Sequence, residues 1–287
     1  VLSQDGNFAT GIIGAILLAG WKYWDSNKSK LAKPKVETIA VKPSERIADI
    51  TMVAAISGII GAKLFAFLES AENFKALLKD PIGQIFSGSG LAIYGGLILA
   101  FIVVYRYVKS KGIPPIHVMD SVAPALMVGY GVGRMGCHFS GDGDWGIVNA
   151  NPTPDWWFLP DSWWSYGYPR NVSNAGSPIE GCPWEHCFEM TPGVYPTPIY
   201  EIFMAFVIFG ILWALRKRLK VPGALFFVYL ILNGIERYWI EKIRVNDIMW
   251  MGLTQAEVIS IILFIVGIVG LVIVYSRRQT PNTRSQT

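Results

Sequence analysis

The chain has 287 residues, of which 52% are hydrophobic and only 16% charged, with a formal net charge of +4 and a mean hydropathy of +0.37. A soluble domain carries more charge than this, and several apolar runs approach the roughly 20 residues that a helix needs to cross a bilayer. The small net charge argues against a nucleic-acid partner, and three cysteines are too few for a disulfide framework. The expected fold class is therefore an all-α polytopic membrane protein in contact with the lipid bilayer.

Seven spans are expected in chain order. The first is about Phe8 to Trp24, read as a span because no cleavage-site pattern of small residues follows it. A basic linker with Lys28, Lys30, Lys33, Lys35, Lys42 and Arg46 leads to the second, about Ile47 to Glu69, and an interfacial piece at Ala71 to Gln84. The third runs from about Ser89 to Val108 and the fourth from about His117 to Gly136. A long segment rich in Trp, Pro, Asn and Gly follows. The fifth span is about Thr197 to Leu215, the sixth about Gly223 to Glu241 and the seventh about Thr254 to Ser276.

Orientation follows from where lysine and arginine gather. They concentrate at Lys22 and the first linker, after span three (Arg106, Lys109, Lys111), after span five (Arg216, Lys217, Arg218, Lys220) and in the tail (Arg277, Arg278, Arg284). Those segments fall on one side of a seven-span path, which places the N-terminus outside and the C-terminus in the cytoplasm. Three segments follow: 1–146 with the first four spans, 147–195 as a small outer head, and 196–287 with the last three spans and a cytoplasmic tail. In the head, Trp156, Trp157, Trp163, Trp164, Tyr166 and Tyr168 suit the membrane interface, where amphipathic rings prefer to sit. Asn171-Val172-Ser173 fits a weak glycosylation pattern.

The stretch Gly131-Val132-Gly133-Arg134-Met135-Gly136-Cys137-His138, followed by Gly141, Trp145 and Gly146, is expected to begin in an apolar run and end in a polar loop. It sets an arginine among glycines, whose missing side chains let a backbone or a lipid headgroup come close. A lone arginine at a helix end is ordinarily a snorkelling one. A second charged group changes that reading. Arg237, Glu241 and Arg244 are spaced i, i+4 and i+7, one face of a helix, with Glu236 and Asp247 near. One ion pair accounts for Glu241 and one arginine, which leaves an arginine over besides Arg134. Two arginines at one depth suit a phosphate, whose oxygens match their forked donors, and the abundant anion in a membrane is a phospholipid headgroup. Tyr94-Gly95-Gly96 lies near the outer end of span three, and Tyr195-Pro196-Thr197-Pro198-Ile199-Tyr200-Glu201 opens span five, where Glu201 can pair with a span arginine. Cys182 and Cys187 are candidates for a disulfide on the oxidising side. A zinc site through His138 or His186 matches no standard spacing, and no cofactor motif is present.

Four of these patterns, in this order, resemble the prolipoprotein diacylglyceryl transferases of bacterial inner membranes. The Gly133-Arg134-Met135-Gly136 stretch with Gly141, Trp145 and Gly146 resembles the family signature. Tyr94-Gly95-Gly96-Leu97-Ile98 is similar to its His-Gly-Gly element, Tyr195 to Glu201 to its His-Pro-Thr/Ser-Gln-Leu-Tyr-Glu element, and Arg237 to Asp247 to its Arg-x-x-x-Glu-Phe-x-Arg-x-Pro-Asp element. The resemblance covers about residues 45 to 276. It implies transfer of a diacylglyceryl group from phosphatidylglycerol to the lipobox cysteine of a preprolipoprotein, with loss of glycerol phosphate and no cofactor. It also implies that Arg134 and Arg237 hold the lipid phosphate and that Glu241 orients Arg237 or neutralises a neighbour. Tyr94 and His138 become candidates for proton transfer, and Gly95, Gly96, Gly133, Gly136, Gly146, Tyr200, Glu201 and Arg244 for substrate binding.

The chain departs from the pattern where the proton chemistry lies. Tyr94 and Tyr195 stand in place of the family's two histidines, Cys137 in place of the signature asparagine, and Asn233 in place of a tyrosine one turn before Arg237. A phenol with an ordinary pKa near 10 is a poor base, and His138, which follows the signature arginine, is the expected substitute. A non-catalytic phospholipid- or lipoprotein-binding membrane protein is the alternative reading. A transporter is disfavoured, because the charges gather at one membrane face and no pair of broken helices is evident.

Overall fold

The computed structural model describes residues 20, 21, 23–25, 27, 28, 42–86, 92–246, 248–250 and 252–279. Phe8 to Ala19 of the first expected span, Lys22, Lys30, Lys33 and Lys35, Asp247 and Arg284 lie outside the described residues, as do Ser87 to Leu91. The chain divides into two compact units, Val1–Met52 and Val53–Thr287. In the first, the described residues between 20 and 28 are helical, and a 3₁₀ turn, Pro43–Arg46, leads into helix α1, Ile47–Glu69.

The second unit continues with α2 (Ala71–Lys79), α3 (Pro81–Phe86), α4 (Ile93–Ser110), α5 (Pro115–Ser140), α6 (Thr197–Leu215), α7 (Ala224–Glu241) and α8 (Gln255–Gln279). Two short antiparallel pairs complete it: β1 (Ser177–Pro178) with β2 (Phe188–Glu189), and β3 (Ile248–Trp250) with β4 (Leu253–Thr254). Among the described residues, four helical stretches are long and apolar enough to cross a membrane: Pro43–Glu69, Ile93–Ser110, Thr197–Leu215 and Gln255–Arg277. Large side chains such as Phe101, Phe203, Trp213, Ile265 and Val272 are exposed on them, as expected of faces turned to lipid rather than water. α5 and α7 have 26 and 18 residues, about 39 and 27 Å of helix. They fall below that apolarity because they carry Asp120, Arg134, Glu236, Arg237 and Glu241.

The helix boundaries have local causes. Pro115 opens α5 and Pro198 sits in the first turn of α6, positions where no amide hydrogen is needed. α5 ends at Gly141, whose left-handed backbone (φ 62°) closes the last turn. α7 starts after Gly223 (φ 89°) with no cap of its own. Asp120 of α5 supplies one, accepting from the amides of Gly223 (2.6 Å) and Phe226 (2.9 Å) and placing a carboxylate at the positive end of the helix.

Glycines let the helices close on one another. A Cβ at Gly96 of α4 would lie 2.9 Å from the Gly58 carbonyl of α1, and one at Gly61 would lie 2.7 Å from Leu99. Between α7 and α8, a Cβ at Gly234 would meet the Ser260 carbonyl at 2.7 Å. α5, α6 and α7 share a core of Met127, Ala205, Ile208, Leu212 and Leu225. The head segment has its own small core of Trp145, Tyr168 and Val194. Its Cys182 and Cys187 form a disulfide. Asn171 is 1% exposed and accepts from the Ala175 amide while donating to carbonyls of the head, so its side chain is spent on the fold rather than offered for glycosylation.

Three sequence expectations change. The signature stays helical through Cys137 and His138 to Ser140 rather than opening into a loop after Gly136. The interfacial piece is two helices, broken at Asp80 before Pro81. Arg244 does not share a helix face with Arg237 and Glu241, because α7 ends at Glu241. Beyond it the Ile243 carbonyl accepts from the Ile147 amide (2.8 Å) and Arg244 bridges Gly146, and this cross-segment pairing replaces the next helical turn.

Removing the Asp120 cap should lower stability without touching the arginines. Asp120→Ala is expected to lose about 1–2 kcal/mol, read as a lower unfolding midpoint of the detergent-solubilised protein, and Asp120→Asn less.

Candidate functional site

At one end of the α5–α6–α7 bundle three guanidinium groups meet three carboxylates. α5 brings Arg134, α6 brings Glu201 from its first turns, and α7 brings Arg237 and Glu241 from its last. Asp144 and Arg244 come from the segments that follow α5 and α7. Glu201 is fully buried (0% exposed) and at the centre: Arg134 pairs with it, Arg237 reaches it at 3.5 Å and Arg244 at 3.4 Å. Asp144 bridges Arg134 and Arg244. Glu241 takes Arg237 at 3.4 Å and accepts from the Thr254 hydroxyl (2.8 Å) and the Asn246 amide (2.5 Å). The expectation that Glu201 pairs with a span arginine is met twice, by Arg134 and Arg237, and Arg244 from beyond α7 adds a third pair.

The backbone explains why loop residues reach this cluster. Gly146 donates to the Tyr195 carbonyl (2.8 Å) and bridges Arg244. A Cβ there would lie 2.5 Å from the Ile243 carbonyl and 3.0 Å from both Thr197 and Tyr195. Gly146 is therefore the point where three segments touch, and its neighbours are backbone and side chain rather than open space. The Thr197 hydroxyl donates to the Asp144 carbonyl (2.7 Å), which ties the start of α6 to the same place.

The cluster holds its charges against burial. Burial pushes the Asp144 carboxyl up, and the guanidinium groups of Arg244 and Arg134 pull it further down, so it lies below the usual carboxylate range. For Arg244 burial works against the charge, and Asp144 and then Glu201 more than offset it.

The other expected residues fall into four places. Gly133 and Gly136 flank Arg134 on α5, are exposed, and would have a Cβ in open space. Gly95 and Gly96 are buried against α1, and Tyr94 beside them is 43% exposed and makes no hydrogen bond to the cluster among the described residues. Tyr200 donates to the Trp163 carbonyl (2.7 Å) and anchors the head segment. His138 is one turn beyond Arg134. Its Nδ1 lies 3.1 Å from the Tyr168 hydroxyl, and its ring is 5.4 Å from the rings of both Tyr166 and Tyr168. His186 pairs with Asn174 in the head (3.1 Å). Cys137, Asp142 and Asp144 hold one possible metal-ligand atom each within 4.8 Å of one another, with Asp144 already taken by two arginines.

Sequence reasoning missed Asp144 and Tyr130. The Tyr130 hydroxyl donates to Glu201 (3.0 Å) and lies 3.2 Å from Glu236. Tyr130 stands one turn before Arg134 on α5, so helical spacing alone could have marked it.

A family model described as prolipoprotein diacylglyceryl transferase matches residues 7–273. The chain belongs to the prolipoprotein diacylglyceryl transferase family. It is similar to the phosphatidylglycerol–prolipoprotein diacylglyceryl transferase of Streptococcus uberis, at 30% identity over 97% of this chain and 95% of that one. It is also similar to the protein of that name from Corynebacterium efficiens, at 25% identity over 96% and 79%. A Clostridium perfringens protein, phosphatidylglycerol–prolipoprotein diacylglyceryl transferase 1, is 31% identical over 76% and 74%. Membership makes the chain a transferase, and the charged cluster falls within the matched residues.

The Asp144 shift has a definite sign. A carboxylate whose folded pKa is below its unfolded one stabilises the fold above about pH 4, and this contribution is lost as pH falls through the folded value. The unfolding midpoint in detergent should drop as the protein is taken below about pH 4, and Asp144→Asn should flatten that slope. An unchanged slope in the variant would remove Asp144 from the account.

Proposed function

We propose that this chain moves the diacylglyceryl group of phosphatidylglycerol onto the lipobox cysteine thiol of preprolipoproteins, forming a thioether and releasing glycerol phosphate. The observation that carries the reading is the convergence of Arg134, Arg237 and Arg244 at one end of an otherwise apolar bundle, in a chain of this family. Arg134 and Arg237 hold the lipid phosphate and stabilise the charge that develops on its leaving oxygen. Gly133 and Gly136 leave room beside Arg134 for the headgroup. Glu201 and Glu241 keep the guanidinium groups aimed, and Arg244 completes the anion site.

The thiol becomes a thiolate before it attacks carbon. His138 takes that proton in this reading: in the tautomer whose Nδ1–H donates to the Tyr168 oxygen, Nε2 keeps a free lone pair. Tyr94, exposed on α4, carries no step. α1, α4, α5, α6, α7, α8 and the expected Phe8 to Trp24 run are the seven spans. The N-terminus lies outside, the C-terminus in the cytoplasm, and 147–195 forms the periplasmic head on a bacterial inner membrane. The segments 1–146 and 196–287 then form the membrane part.

Purified protein in detergent, given phosphatidylglycerol and a lipobox peptide, should yield a peptide heavier by one diacylglyceryl group and an equal amount of glycerol phosphate. Arg134→Ala and Arg237→Ala should each lower turnover by at least about a hundredfold while the protein still inserts and folds. Activity retained in both would remove the phosphate clamp. Lipid binding without a mass gain in the unaltered protein would favour a binding protein over a transferase. His138→Gln should nearly abolish turnover in folded protein, and near-normal turnover would remove His138 as the base.

A further inference from the structure

Behind the arginine cluster lies a carboxyl group that the phosphate clamp does not use. Glu236 of α7 is 3% exposed. Its Oε1 lies 3.2 Å from the Tyr130 hydroxyl, and its Oε2 has no hydrogen-bond partner among the described residues. The same hydroxyl lies 3.0 Å from Glu201 Oε2. A phenol has one proton, so it donates to one carboxylate only and accepts from the other only if that one is a carboxylic acid.

Charge decides which one is the acid. Glu201 makes ion pairs with Arg134, Arg237 and Arg244, whereas Glu236 makes none among the described residues and leaves Oε2 unpartnered. The three guanidinium groups are already matched by Asp144, Glu201 and Glu241, so an ionised Glu236 would be a fourth carboxylate, out of water and beside Glu201. Two carboxyl groups on one hydroxyl do not both ionise in such a place. The groups that face Glu236 are Tyr130 and Arg134 from α5, Glu201 from α6, and Arg237 and Tyr229 from its own helix. The line Glu236–Tyr130 therefore points a spare proton at the cluster. Tyr130 reaches the clamp directly as well, with the Arg134 guanidinium carbon 5.2 Å from its ring centre.

We propose that Glu236 is a resident carboxylic acid that, through the Tyr130 hydroxyl, protonates the phosphate leaving group of the lipid held on Arg134 and Arg237. The inference rests on the transferase reading. The thiolate electron pair forms the S–C bond, and the C–O bond to phosphate breaks with its electron pair on oxygen. That oxygen takes the Tyr130 proton, which leaves its hydrogen bond to Glu201, and Tyr130 takes the Glu236 proton. The thiol proton has gone to the base and on to water, and Glu236 regains a proton from water when glycerol phosphate leaves. Glu236 acts through Tyr130 and is a positioning and proton-supplying residue.

Two measurements test this. The first needs no turnover. At neutral pH the unaltered protein in detergent should show the infrared C=O stretch of a protonated carboxylic acid, shifted by deuterium exchange, absent in Glu236→Gln and present in Asp144→Asn. No such band, or a band that survives Glu236→Gln, overturns the proposal.

The second is kinetic. The amide of Glu236→Gln keeps the shape and the Tyr130 contact but supplies no acidic proton. Its kcat should fall about a hundredfold with KM for phosphatidylglycerol within about twofold. An acid must be protonated to act, so kcat of the unaltered enzyme should decline on the alkaline side, and that decline should vanish in Glu236→Gln. Should this variant not fold, Tyr130→Phe breaks the relay and carries the same readouts. Transfer at the unaltered rate and pH profile in either variant overturns this inference alone. Absence of transfer in the unaltered protein overturns the functional reading instead, and the infrared band then decides whether Glu236 is held as an acid.

Discussion

Everything at the charged end of this bundle depends on one buried carboxylate. Glu201 sits at 0% exposure among three guanidinium groups from three parts of the chain. Alone in an apolar helix bundle, its charge and those of the arginines would each be costly to bury. Together they satisfy one another, and the burial that makes each charge expensive makes their mutual attraction strong. The arrangement is also conditional: removing one member leaves an uncompensated charge in the same place. This is why α5, α6 and α7 are held in one relative register at this end, while elsewhere they are held by an apolar core and by the Asp120 cap on α7.

The second constraint is backbone closeness. Arg244 is delivered to the cluster by strand-like pairing between 146–147 and 243–244 rather than by a helix. That pairing has no room for a side chain at Gly146. The signature glycines thus divide by position. Gly133 and Gly136 face open space beside Arg134, whereas Gly146 makes a chain crossing possible. Gly95 and Gly96 serve helix contact between α4 and α1. One residue type, enriched in one family pattern, answers three different physical needs.

Much of the architecture was legible because its signals are local. The bounds of α1 and α6 agree with the spans read from hydropathy, since a run of apolar residues between charged or proline-marked ends leaves few alternatives. The apolarity of α5 and α7 is weaker because they carry the site, and there the charged residues themselves were the signal. Arg134, Arg237, Glu241, Glu201 and Arg244 were all marked as site candidates from spacing and pattern, and all five meet in the structure. The helix face proposed for Arg237, Glu241 and Arg244 was half right, because nothing local says that Ile243 gives its carbonyl to Ile147.

What the sequence by itself determined is the membrane character, the helical runs, the family pattern and the kinds of charge present, because each depends on composition or on residues within a turn or two of one another. What only the tertiary structure decided is which charges meet. Asp144 of the loop after α5 lies between Arg134 and Arg244. The Tyr130 hydroxyl lies between Glu201 and Glu236, 71 and 106 residues away. Charge pairing acts through a few ångströms of low-dielectric space, and a linear sequence holds no record of which distant residues will share it.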